Sequence, residues 1–383
     1  VSLNEVAAPI DPSGAAKRAS VGGVAAPAPT TGTPPASETC APVLAVQSPD
    51  ARKTAEANPL PSPVAFNGDY WIGQIGLRTA WTKLPSTPAW RPLGLVDEGP
   101  GNVSQMIAPS RLELVDSLGA LLGPQVTTDD HLSRVAAHAA ADGATSTWGV
   151  AYGSPVYAVD VDRPALSETR YEVAEKTYFS RIVWAMDRLL RVKGCRVINI
   201  SLGPANAAPT MTDEAYYAAA RRFRANLVGA VGEAVRRDAL VCIASGNEAK
   251  KHDDRLMPGN EPTAGFTTNV LLVAANGPGD PRGARNSYPS VQSYANEGTL
   301  VPITAPGEAI SPGPNVSPDG GTSYASPIVA GAALAVMAAN PRLSAARVRG
   351  LLVETGSANV ISGSSIRLLD VDAAITRALS IVP

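Results

Sequence analysis

Six short runs of branched apolar residues alternate with helix-length stretches from residue 70 onward, and this alternation limits the fold more than any other feature of the chain. The runs at 92–96, 111–115, 156–161, 197–201, 240–245 and 270–275 are rich in Val, Ile and Leu, and several are followed by Gly or Asp. Runs without polar interruption are typical of strands buried on both faces of a parallel sheet. Helical patterning is predicted over 131–141, 177–192, 212–237, 326–339 and 344–354. The alternation predicts an α/β fold: a doubly wound, mostly parallel sheet with helices on both faces. In such sheets a site gathers at the carboxyl ends of the strands.

Composition narrows the function classes. Of 383 residues, 45% are apolar and 17% are charged, enough to build a sizeable core. The formal net charge is −2, so there is no basic excess to neutralise phosphates, and no nucleic-acid partner is expected. No unbroken apolar run reaches 18 residues, and no membrane span is expected. The three cysteines, Cys40, Cys195 and Cys242, are too few for a disulfide framework. Cys195 and Cys242 lie in or beside apolar runs and are expected as buried free thiols. No zinc site is predicted, because no His accompanies a Cys at ligand spacing; structural calcium is left open but not predicted, since no acidic loop of clear ligand spacing appears, and no other metal or cofactor is expected.

Residues 1–64 are rich in Ala, Pro, Ser and Thr and poor in aromatic and branched apolar residues. Such a segment buries too little surface to offset its ordering entropy. It is expected to be a largely irregular arm or linker, with a single folded domain over 65–383.

Ser323 stands at a Gly-rich turn, Gly320-Gly321-Thr322-Ser323, that opens an apolar helix beginning near Ala325. A serine in such a place is by itself usually a helix cap. Its longer context, Gly321-Thr322-Ser323-Tyr324-Ala325-Ser326-Pro327-Ile328-Val329-Ala330-Gly331, closely resembles the serine motif of the subtilases, the subtilisin-like serine peptidases. That resemblance implies further segments in the order Asp, His, Asn, Ser. Gly94-Leu95-Val96-Asp97-Glu98-Gly99 resembles the aspartate motif, with Glu98 where the family usually has Thr or Ser. The Ala80-Trp81 pair shortly before it resembles the family's entry into the domain and favours Asp97 over Asp116. The histidine comes from His131, His138 and His252. In His131-Leu132-Ser133-Arg134-Val135-Ala136, the Val and Ala keep the family's register, but the Gly, Thr and second His of its motif are replaced. Register favours His131. His138, seven residues on, shares its helix face. His252, among Lys251, Asp253 and Asp254, is expected in a solvated loop. Ala244-Ser245-Gly246-Asn247-Glu248 resembles the oxyanion segment, and its Asn247 points to the subtilisin branch of the fold.

The resemblance covers roughly residues 70–379 and implies a serine endopeptidase that cleaves peptide bonds through an acyl-enzyme. Asp97, His131 and Ser323 would form the triad, with Asn247 as an oxyanion donor. A peptide or protein substrate is expected in extended form beside Ser201, Leu202, Gly203, Ser245 and Gly246. A monomeric, secreted or periplasmic protein is implied. The altered histidine motif leaves two other readings open: a catalytically impaired binding protein of the same fold, and a maturation peptidase with one partner substrate. Segments 162–175, 211–225 and 248–265 look longer than a minimal family member needs.

Overall fold

A computed structural model describes residues 69–382 apart from 123–128, 144–147, 162–170, 205–210, 254–263, 279–288, 314–315, 359–361 and 363–364. The expected arm at 1–64, Cys40 and most of the 162–175 segment lie outside the described residues.

One parallel sheet organises the chain. Its strands are β1 (Leu93–Asp97), β2 (Leu112–Asp116), β3 (Val156–Asp160), β4 (Val197–Ile200), β5 (Leu240–Ala244), β6 (Val270–Asn276), β7 (Ile303–Pro306) and β8 (Arg367–Leu368), in the spatial order β2-β3-β1-β4-β5-β6-β7-β8. The six apolar runs are therefore six of these strands, displaced by no more than a residue or two. The chain builds outward from β1 in one direction with β2 and β3, then in the other from β4 onward. The topological switch point thus falls between β1 and β4, where doubly wound sheets open a crevice.

Alternate strand side chains enter opposite cores. Leu93 and Leu95 pack on one face with Val197, Leu240 and Cys242. Val96 packs on the other with Ile198, Ile200, Val241 and Ile243. Because both faces are covered, both kinds of position are apolar. The expected free thiols Cys195 and Cys242 are buried, and burial pushes both above the usual thiol range.

Short helices α1 (Tyr70–Gln74), α2 (Leu77–Thr82) and α3 (Val103–Met106) precede α4 (His131–Ala140), α5 (Tyr171–Asp187) and α6 (Asp213–Arg236). Then follow α7 (Ala264–Thr268), α8 (Thr322–Ala339), α9 (Ala345–Glu354) and α10 (Val371–Ser380). The 211–225 segment supplies the first half of α6, within the helix predicted over 212–237, and the Thr212 side chain caps it. Helix α8 begins at Thr322, earlier than the apolar run suggested, with Gly321 as its N-cap. It is apolar on all sides because it runs through the core, packed on α4 and on β4 to β7. Its 18 residues have the length and apolarity of a membrane span, but 94% of them are buried inside the protein. Gly331 permits this packing: a Cβ there would come within 2.7 Å of Val150 Cβ and 2.8 Å of the Ala139 carbonyl on the neighbouring layer.

Two strands escaped the sequence reading. Ile303-Thr304-Ala305-Pro306 reads as a turn leading to the serine segment, yet it forms β7. Its Thr304 hydroxyl donates to the Ala274 carbonyl and so pairs a buried polar group. β8 is only two residues long and has no periodicity to detect.

Candidate active site

Asp97 is the last residue of β1, fully buried at the switch point. Its Oδ1 accepts the Glu98 backbone N–H at 2.8 Å and lies 2.8 Å from His131 Nδ1. A carboxylate only accepts, so this contact places the imidazole proton on Nδ1 and leaves Nε2 as the acceptor of the neutral ring. Asp97 Oδ2 is buried with no hydrogen-bond partner among the described residues.

His131 opens α4, and its backbone N–H donates to Asp129 Oδ1 at 3.2 Å. The ring is 27% exposed, open on one side to the cleft, and packs against Tyr324 at a centroid distance of 5.6 Å. Burial works against its charged form, but Asp97, with Glu98 and Asp129, outweighs this and holds the imidazole above its usual 6.5.

The other two histidines stand elsewhere. His138 is buried between Trp71 and Tyr324, with Nδ1 at 2.8 Å from the Arg134 carbonyl. Burial lowers its pKa to about 4. His252 is not solvated, contrary to the expectation from its charged neighbours. It is 6% exposed, its Nε2 is 2.7 Å from the Tyr216 hydroxyl, and burial lowers its pKa to about 4. The local charges misled because the apolar face of α6, remote in sequence, covers the ring. Asp116 ends β2 and turns back on its own loop, accepting from the Leu118 and Ala120 N–H groups.

Ser323 lies in the first turn of α8, where backbone N–H groups point out of the helix end. Its Oγ donates to the Ser201 carbonyl at 3.3 Å. The Ser201 hydroxyl donates in return to the Ser323 carbonyl at 2.8 Å. A buried relay continues behind it: Asn199 Nδ2 donates to Ser201 Oγ at 2.9 Å, and Ser326 Oγ donates to Asn199 Oδ1 at 2.7 Å.

Asn247 is exposed just beyond β5. Its Oδ1 accepts both the Thr322 N–H at 3.0 Å and the Thr322 hydroxyl at 2.9 Å. The same Thr322 oxygen accepts the Gly246 N–H at 3.1 Å. Fixing the amide by its oxygen leaves Nδ2 to donate outward, beside Gly321 and the start of α8. Sequence reasoning missed Thr322 as an orienting group, although it stands next to the serine in the motif.

Among the residues expected to flank a substrate, Ser201, Leu202 and Gly203 follow β4 beside Ser323. Ser245 and Gly246 have their backbone groups engaged within the protein. The Ser245 N–H goes to Val273 and its carbonyl to Asn296 Nδ2, while the Gly246 N–H goes to Thr322 and its carbonyl to the Asn296 N–H. They therefore wall the cleft and do not pair as a ladder strand. Among the described residues no three His, Cys, Asp or Glu side chains gather as a metal site.

The family model of the subtilases matches residues 123–368, more than half of the chain. The chain belongs to the subtilase family. As a subtilase it is a serine-type peptidase, a hydrolase. The matched span takes in His131, Asn247 and Ser323, while β1 with Asp97 lies ahead of it. Subtilisin DY from Bacillus licheniformis is 29% identical over 273 residues, 69% of this chain and 83% of that protein. An extracellular protease of Xanthomonas campestris is 29% identical over 278 residues, 67% of this chain and 42% of that protein. Two solved structures share the fold. The MycP3 protease from the type VII (ESX-3) secretion system matches with a TM-score of 0.55 and 24% identity, covering 82% of this chain and 90% of that one. The epidermin leader peptide processing serine protease of Staphylococcus aureus matches with a TM-score of 0.57 and 17% identity, over 82% and 81%.

Proposed function

We propose that this subtilase is a serine endopeptidase working through Asp97, His131 and Ser323 outside the cytoplasm. The observation that carries the reading is the 2.8 Å contact between Asp97 and His131 Nδ1, made across 34 residues by a strand end and a helix start. Asp97 fixes the tautomer and steadies the imidazolium. His131 Nε2 takes the Ser323 proton as Oγ attacks the peptide carbonyl, and later returns it to the leaving amine. The tetrahedral oxyanion is received by Asn247 Nδ2 and the Ser323 N–H at the α8 terminus. Water then hydrolyses the acyl-enzyme with His131 as base. A location outside the cytoplasm is supported by the extracellular relative.

A second reading, an impaired binding protein of the same fold, draws on one observation: Ser323 Oγ is engaged by the Ser201 carbonyl. One experiment separates the two. A small fluorophosphonate should label the wild-type protein at Ser323 and leave Ser323→Ala unlabelled, and only the former should cleave a peptide library. Absence of labelling, under conditions where a known serine peptidase reacts, would overturn the enzyme reading. A narrow cleavage profile in the same library would mark a maturation peptidase, a flat one a degradative enzyme.

A further inference from the structure

The ends of β4 and β5 that carry Ser201 and Asn247 also flank a small pocket of about 60 Å3. Leu202 and Gly203 stand on one side and Ala244 and Ser245 on the other, so the pocket lies directly beside the nucleophile's own contacts. Its walls are apolar, built from Phe223, Leu227, Ile243 and Phe266.

Of the residues with polar side chains in this lining, Arg224, His252, Tyr216 and Ser245, the first two are basic. Arg224, from α6, is half-buried with its guanidinium carbon 4.3 Å from the centroid of the Phe266 ring. Among the described residues no carboxylate pairs with it, and burial lowers its pKa. A partly desolvated cation without a counter-charge is a cost that an anionic occupant removes. The second group is His252. Asn296 Nδ2 donates to the Tyr216 oxygen at 2.8 Å, and that oxygen lies 2.7 Å from His252 Nε2 and also bonds the Glu248 carboxylate. His252 Nδ1 is a buried nitrogen with no hydrogen-bond partner among the described residues, on a residue of the pocket wall. Glu248 accepts from Asn296 Nδ2 at 2.6 Å, and no ion pair joins it to Arg224 among the described residues.

We propose that this pocket receives the side chain preceding the scissile bond and selects glutamate there, its methylene stem on the apolar walls and its carboxylate on Arg224. The inference rests on the endopeptidase reading. Leucine or phenylalanine would fill the apolar volume but leave Arg224 unpaired, and lysine would set two cations together.

Peptidyl phosphonates that differ only in the side chain next to phosphorus test this, read as the second-order rate of Ser323 labelling. The glutamate compound should react about tenfold faster than its isosteric glutamine counterpart, and lysine should be slowest. Arg224→Leu should bring the glutamate-to-glutamine ratio to about one, and Arg224→Lys should retain part of it, with thermal melting confirming that both fold. Equal rates for glutamate and glutamine in the wild-type protein, or a ratio unmoved by Arg224→Leu, would overturn the specificity assignment alone. Failure of every phosphonate and of the small fluorophosphonate would overturn the peptidase reading and this inference with it.

Discussion

The Ser323 carbonyl is held by the Ser201 hydroxyl at 2.8 Å, and the amino acid four residues further on explains why it is available. Residue 327 is proline, so the helix has no N–H to offer the carbonyl of residue 323. The missing helical bond opens a place for a side chain from the end of β4. Through it the relay of Asn199, Ser201 and Ser326 fixes the turn on which the Ser323 hydroxyl stands.

Pro327→Ala would restore an N–H that competes with Ser201 for the Ser323 carbonyl. Labelling of Ser323 by a fluorophosphonate should slow several-fold while the melting temperature holds or rises, since an interior helical proline costs about 3 kcal/mol. Ser201→Ala should slow labelling and also destabilise by about 1–3 kcal/mol, because Asn199 and the Ser323 carbonyl lose a buried partner. Parallel melting and labelling measurements distinguish the two variants.

On the proposed mechanism, the position of His131 sets the acid side of the pH profile. Its base form is required, and the carboxylates around it raise its pKa above 6.5, so kcat/KM should climb with a limb on the alkaline side of that value. Asp97→Asn removes the carboxylate that does most to raise it. The limb should move to lower pH while the plateau falls by about 10⁴-fold. A limb that stays in place in the variant would detach Asp97 from the titrating group.

On the proposed mechanism, Thr322 acts through Asn247, whose oxygen it holds. Asn247→Ala should lower kcat by about 10²–10³-fold with KM little changed, as for loss of one oxyanion donor. Thr322→Val keeps the shape of the side chain but removes a hydroxyl bonded to the Asn247 oxygen and the Gly246 N–H. It should lower kcat by about tenfold. Combined with Asn247→Ala it should add little further loss of kcat, because the group it orients is gone.

Stability should fall on mild acidification. His138 and His252 are neutral when folded down to about pH 4, whereas their unfolded value is 6.5. Between those limits the unfolded chain binds more protons, so stability is present above 6.5 and is lost as pH drops toward 4. The urea midpoint should decline across that window, and His138→Gln should flatten the decline.

Much of the fold was legible because each strand of a doubly covered sheet is a continuous apolar run, a purely local signal. The runs at 92–96, 197–201 and 240–245 correspond to β1, β4 and β5, the strands that deliver Asp97, Ser201 and Asn247. β7 was not legible: its four residues include a proline and a threonine that only a neighbouring carbonyl makes acceptable in a core.

By itself the sequence determined the parallel α/β architecture and the order of the four motif segments, since each depends on residues adjacent along the chain. It left three histidines competing, and its charged neighbours misplaced one of them. The tertiary structure alone decided that His131 meets Asp97, that His138 and His252 are buried, and that Thr322 grips Asn247 by its oxygen. Those relations join residues separated by tens of positions, and they exist only once the sheet order sets β1, β4 and β5 side by side in its middle. The unpaired cation of Arg224 belongs to the same class. In sequence it is one more charge on a helix, and only the packing of α6 against β5 and Phe266 places it in the pocket beside the ends of β4 and β5.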